Sequence, residues 1–153
     1  MPRVSDISIL HKREQPTLSI RTRARVEELP MLIGAGYGKL AVYLGELGEY
    51  LSDVPYVAYH NMDMQNLDVE IGFPVPKALP GMGDIRSGSI PEGRVVSCMY
   101  RGAYREMVPT YTEMADWIEK NGLQPAGTAY ECYYNGPEYP ESELLTMIVM
   151  PVL

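Results

Sequence analysis

The chain has 153 residues, 46% hydrophobic and 22% charged, the size and balance of one globular domain and not of a disordered tail or a charged fibre. Its formal charge of −7 argues against a nucleic-acid binder, which needs a basic face. The charge is uneven: residues 1–25 carry six basic and two acidic side chains and the other 128 carry seven and eighteen, so the acidic body favours cationic or neutral ligands.

Taken in chain order, residues 5–13 read as an extra N-terminal strand. Thr17–Arg25 alternates apolar and polar side chains, the pattern of a half-buried strand. Its arginines predict acidic neighbours in a sheet, the alternative being a basic arm for a polyanion. Leu29–Leu51 places Leu32, Leu40, Tyr43, Leu44, Leu47 and Leu51 at helical spacing, with Pro30 near the start. Gly34, Gly36 and Gly38 lie inside that pattern and read as helix packing; they lack the order of a dinucleotide-binding loop. Val54–Asn61 and Leu67–Val75 form a hairpin around Met62–Asn66. Residues 76–92, rich in Pro and Gly, read as a linker. Arg94–Tyr100 is a strand and Val108–Asn121 a helix, with Gly122 as its C-cap. Thr128–Asn135 and Glu143–Val152 are strands around the turn Gly136-Pro137-Glu138.

The second half repeats the first. At an offset of 74, Tyr111 falls on Tyr37, Met114 on Leu40, Trp117 on Tyr43, Ile118 on Leu44, Gly122 on Gly48, Tyr133 on Tyr59 and Asn135 on Asn61. At an offset of 77, Ile148 falls on Ile71, Pro151 on Pro74 and Val152 on Val75. The chain is therefore one domain of two strand-helix-strand-strand units, about 5–75 and about 93–153, joined by a linker at about 76–92. Duplicated hairpins without parallel crossovers indicate an α+β fold, its two helices on one face of a combined antiparallel sheet.

Alternation turns Leu67, Val69, Ile71 and Phe73 toward the helix and Asp68, Glu70 and Gly72 away from it. If Cys132 faces the helix, Glu131 and Tyr133 point to the opposite face. The units would then meet around Tyr59, Tyr133, Glu131, Asp68 and Glu70. Two readings of Glu131 stand open: a solvated residue on the open face of a strand, or a carboxylate among aromatic rings. The latter suits a lipophilic cation and, when desolvated, general acid–base chemistry. Twelve Tyr against one Phe also point to aromatic walls with polar ends. Tyr111 and Trp117 read as core or pocket-edge residues rather than catalytic ones. The two histidines, His11 and His60, form no cluster of metal-ligating spacing, so neither metal nor other cofactor is expected. Cys98 and Cys132 read as buried reduced thiols. Without a membrane-length apolar run or a signal core, the protein is expected to be cytoplasmic.

The strand Thr128-Ala129-Tyr130-Glu131-Cys132-Tyr133-Tyr134-Asn135, the Pro137-Glu138 turn and the closing Met150-Pro151-Val152 resemble the GyrI-like small-molecule-binding domain. So do Tyr56-Val57-Ala58-Tyr59-His60-Asn61, Asp68-Val69-Glu70-Ile71, Pro74-Val75 and Gly102-Ala103-Tyr104. This is also the effector-binding domain of AraC-type and MerR-type multidrug regulators. The resemblance implies two pseudo-twofold related units with a groove between them for hydrophobic, often cationic or planar, compounds. It places Glu131 at the family's glutamate and Tyr133 and Tyr59 at aromatic positions. Three functions follow as expectations. The first is a standalone module binding lipophilic, cationic compounds through Glu131, Tyr133, Tyr59, Glu70, Tyr111, Trp117 and Tyr37, in drug or toxin resistance. The second is a hydrolase of cyclopropane-bearing toxins, with Glu131 as general acid/base and Tyr133 orienting substrate. The third is a gyrase-inhibitor-like or transcription-regulator interaction protein. The sequence holds no DNA-binding segment, so transcriptional control would need a protein partner.

Overall fold

The computed structural model describes residues 3–153. The fold is α+β: eight strands and two α-helices in the order β1 (Ser8–Lys12), β2 (Gln15–Ala24), α1 (Leu29–Glu46), β3 (Tyr56–Tyr59), β4 (Leu67–Pro74), β5 (Arg86–Ile90), β6 (Gly93–Arg101), α2 (Val108–Lys120), β7 (Ala129–Tyr133) and β8 (Leu145–Pro151). Residues 13–92 form one compact unit, and residues 3–12 with 93–153 form the other. In the first the strand order is β5-β2-β4-β3, and in the second it is β1-β6-β8-β7. All pairings within each unit are antiparallel.

Each unit thus contains the predicted strand-helix-strand-strand repeat, β2-α1-β3-β4 and β6-α2-β7-β8, plus one outer strand. The outer strands come from unexpected places. Strand β1, ahead of the first repeat, pairs with β6 of the second, Ser8 opposite Ser97. Strand β5 lies inside the segment read as a linker and pairs with β2, Leu18 opposite Ser87.

The recurring residues have recurring jobs. Gly48 and Gly122 adopt φ of 69° and 67°, and the next amide donates back to the helix, Glu49 N to Leu44 O at 3.1 Å and Leu123 N to Ile118 O at 3.0 Å. Both helices therefore stop in the same glycine-dependent Schellman cap. This cap ends α1 at Glu46, short of the predicted Leu51, despite further leucines at helical spacing. Asn61 and Asn135 each brace a hairpin. Asn61 accepts from Asp68 N at 2.9 Å and donates to Asn66 O at 3.0 Å; Asn135 accepts from Leu145 N at 2.8 Å and donates to Glu143 O at 2.9 Å.

In the first unit α1 covers the apolar face of β4. A Cβ on Gly36 would lie 3.1 Å from Ile71 side-chain carbons, so this glycine sets the close approach of helix to sheet. Tyr37 stacks on Phe73 with ring centroids 5.5 Å apart and donates to Tyr56 O at 2.8 Å. In the second unit Val96, Cys98, Tyr100 and Ile148 pack against Met114 and Ile118 of α2. The basic N-terminal strand does find an acidic neighbour, as Arg21 grips Asp68 through two bonds of 2.9 and 2.8 Å. Both cysteines are free thiols, but only Cys98 is buried as expected, and Cys132 is half-buried; burial raises the Cys98 thiol to about 11. Among the described residues no helix is long and apolar enough to cross a membrane.

Candidate ligand-binding site

Strand β7 carries the site, and its register decides which side chains share a face. Glu131 lies opposite Ile148 and Tyr133 opposite Thr146. Ile148 belongs to the cluster packed on α2, and side chains alternate along a strand. Glu131 and Tyr133 therefore face α2, and Cys132 faces away. This corrects the face expected from the sequence. The Tyr130 and Cys132 set is the more apolar of the two on β7, so the strand's own pattern points to the wrong face, because the residue turned toward the helix is a buried carboxylate.

The corrected face brings Tyr111 of α2 to the carboxylate. Tyr111 Oη donates to Glu131 Oε2 at 2.6 Å, and Tyr133 Oη donates to Oε1 at 2.9 Å. Each carboxylate oxygen thus has a phenol partner, and Glu131 is only 9% exposed. Burial raises its pKa above the ordinary value of 4.5, and the two phenol hydrogen bonds oppose this by favouring the ionised form. Among the described residues no Lys, Arg or His pairs with it. Of the two readings left open by the sequence, the buried carboxylate among aromatic rings is the one found.

A third tyrosine, missed as a site residue by the sequence reading, completes the cluster. Tyr104 opens a 3-10 turn, Tyr104–Glu106, ahead of α2. Its ring meets that of Tyr133 edge-on, with centroids 5.4 Å apart. Its phenol pKa is raised by burial and by the negative charge of Glu131. Its only signal in the sequence was its place in the Gly102-Ala103-Tyr104 run. Trp117 is half-buried against the α2 core cluster.

The remaining candidates belong to the other unit. Tyr37 is engaged with Phe73 and the Tyr56 carbonyl, as above. Tyr59 lies opposite Val69 and so faces α1. Glu70 lies opposite Ala58 and Arg21, on the face away from α1, as alternation predicted. Tyr59 therefore does not share a face with Asp68 and Glu70. Glu70 is held by Tyr56 Oη at 2.5 Å and by His60 Nε2 at 3.1 Å. These bonds and the positive charge of His60 and Arg21 outweigh burial and hold Glu70 below its ordinary value. The Tyr56 ring lies across Gly72, where an added Cβ would stand 2.4 Å from its Cζ and Oη. The two tyrosine-held glutamates are thus chemically distinct: Glu70 is a paired anion, and Glu131 a buried acid without a countercharge. Among the described residues no group of three or more His, Cys, Asp or Glu is placed to hold a metal ion.

Known proteins resemble the chain as follows. The structure of the EcmrR C-terminal domain superposes with a TM-score of 0.79 at 22% identity, covering 98% of each chain. EcmrR in a DNA complex gives 0.78 at 23% identity over 96% of this chain, which spans 57% of the length of that one. A hydrolase from Listeria innocua gives 0.70 at 16% identity, covering 97% of this chain and 92% of that one. SAV2435 bound to tetraphenylphosphonium gives 0.63 at 11% identity, covering 97% and 94%. At these identities the likeness establishes the fold. No curated protein sequence matches the chain. Residues 5–153 match the family described as the GyrI-like small molecule binding domain. With nearly the whole chain matched, and with the duplicated α+β fold found in its structure, the protein belongs to the GyrI-like small-molecule-binding family.

Proposed function

We propose that this GyrI-like domain binds lipophilic monocations, with Glu131 as the counterion and tyrosine rings as the contact surface. The observation that carries this reading is the buried Glu131 carboxylate, which has a phenol on each oxygen and no basic partner among the described residues. A buried charge is stable only when it is paired or protonated. A cation lacking hydrogen-bond donors supplies the missing charge without competing for the two phenols, and aromatic faces attract it further. That SAV2435 was determined with tetraphenylphosphonium supports this ligand class. The acidic net charge of −7 favours approach of a cation. Roles in drug or toxin resistance, or in transcription through a protein partner, follow if such binding occurs in the cell.

The test is thermal stabilisation by tetraphenylphosphonium. A ligand at a hundred times its Kd should stabilise the fold by about 2.7 kcal/mol, and Glu131→Gln should lose most of that gain. No stabilisation, or equal stabilisation of both proteins, would refute the reading.

A second reading is hydrolysis, favoured by the burial of Glu131, which raises its pKa above the ordinary carboxylate value and so makes it a better proton acceptor. Glu131 would take a proton from water as its oxygen bonds to a carbon of a strained electrophilic ring; the ring C–C bond breaks, its electron pair passes to the other ring carbon, and the proton held by Glu131 is returned there, with Tyr133 orienting the substrate. Turnover of a cyclopropane-bearing substrate that Glu131→Gln abolishes while binding persists would establish it. Product formation at the uncatalysed rate would exclude it.

A further inference from the structure

We propose that Asn135-Gly136 is a self-modification site: the Gly136 amide displaces the side-chain amide of Asn135 as ammonia, and the product loosens the hairpin that carries Glu131 and Tyr133.

An asparagine side chain is most open to attack by the next backbone nitrogen when a glycine follows. Glycine sets no Cβ beside that nitrogen and leaves the backbone free to turn. The chain contains two such pairs, Asn121-Gly122 and Asn135-Gly136, and the structure treats them differently. Asn121 ends α2 with ψ of 11°, which holds the Gly122 nitrogen well away from the Asn121 side chain. That nitrogen is also occupied, donating to Glu119 O at 3.1 Å, while Asn121 Nδ2 donates to Trp117 O at 2.8 Å. Attack there requires the last turn of α2 to unwind.

Asn135 is half-buried in the irregular chain between β7 and β8. Among the described residues the Gly136 nitrogen has no hydrogen-bond partner. An added Cβ on Gly136 would lie 2.8 Å from Glu138 Oε2, so a carboxylate stands over the residue whose nitrogen must attack. Glu138 takes the Gly136 amide proton as that nitrogen bonds to Asn135 Cγ. The Cγ–Nδ2 bond breaks, the proton passes to Nδ2, and ammonia leaves behind a cyclic imide. Water then opens the imide at either carbonyl, giving aspartate or the isomer whose backbone runs through the side chain.

The consequence follows from the brace. Asn135 Nδ2 donates to Glu143 O, and its Oδ1 accepts from Leu145 N. A carboxylate keeps the second bond and loses the first, setting a negative oxygen against a carbonyl oxygen. The isomer also lengthens the backbone. Either product weakens the closure of the β7–β8 hairpin. The repeat supplies a control, because Asn61 braces the other hairpin in the same way but is followed by Met62, whose side chain hinders attack.

The experiment holds the full chain in mildly alkaline buffer, with a parallel sample unfolded in urea, and follows the one-dalton gain at each asparagine by peptide mapping. In the folded chain Asn135 should convert well ahead of Asn121, and Asn61 should persist; in urea the two Asn-Gly pairs should convert alike. Gly136→Ala and Glu138→Gln should each slow Asn135 several-fold. Asn135→Asp, the direct product, should lower Tm by about 5 °C. Folded Asn135 that stays intact while the unfolded chain converts, or that converts no faster than Asn121, overturns the site. An unchanged rate in Glu138→Gln overturns the role of Glu138, and Asn135→Asp melting with the wild type overturns the loosening of the hairpin.

Discussion

Replacing Glu131 by Gln removes a buried charge and keeps its shape. The amide can accept from one phenol and donate to the other, so Tyr111 and Tyr133 both keep a partner. In the wild type the folded carboxyl has a pKa raised above 4.5. Its contribution to stability is therefore fully present below the unfolded pKa and is lost as pH rises through the folded value. Across that window each pH unit costs the wild type about 1.4 kcal/mol relative to the neutral variant. For a chain of this length that corresponds to roughly 3–5 °C in Tm per pH unit. Melting curves of both proteins from pH 4 to 9, without ligand, make the comparison. Taking their difference cancels the other carboxylates, including Asp68 and Glu70, whose lowered pKa values act in the opposite direction. The Gln variant should gain on the wild type as pH rises and then hold a constant advantage. A difference that is flat across the whole range would refute a buried, uncompensated acid at this position.

Two further predictions concern packing. Gly72→Ala puts a Cβ 2.4 Å from the Tyr56 ring and must displace a side chain that is 1% exposed from its bond to Glu70. Denaturant unfolding should report a loss of about 2–4 kcal/mol, partly recovered in a Tyr56→Ala background; a loss below about 1 kcal/mol would mean that the ring has another seat. Among the described residues Thr146 Oγ1 is buried without a hydrogen-bond partner, so Thr146→Val should raise stability by about 1 kcal/mol in the same assay, and destabilisation would count against the assignment.

The sequence was most informative where local chemistry repeats. The β2 and β4 segments announced themselves by alternation, and the recurrences of Gly48 with Gly122 and of Asn61 with Asn135 mark helix caps and hairpin braces that depend on those residue types. Other features depend on partners distant in the chain. Strand β5, Arg86-Ser-Gly-Ser-Ile90, is an exposed outer strand with no apolar face to alternate, so only its pairing with β2 identifies it. The face of β7 is set by Glu131 lying opposite Ile148, whereas β7 alone favours the uncharged Tyr130 and Cys132 set as the buried one. Glu131 and Tyr133 could therefore be named from the chain, but their meeting with Tyr111, and the approach of Tyr104 from the turn before α2, needed the register.

The exchange of outer strands has a consequence for how the molecule is made. During synthesis β1 emerges first, yet its partner β6 follows about ninety residues later, with Ser8 opposite Ser97. The unit of residues 13–92 can close while β1 is still waiting. Joining β1 to β6 then closes a loop of that length, an entropic cost of about 4 kcal/mol deferred to the end of folding. The path also passes from one unit to the other twice, at residues 12–13 and 92–93. A protease that cuts at either crossing alone leaves the halves covalently joined through the other, so separating them requires two cuts.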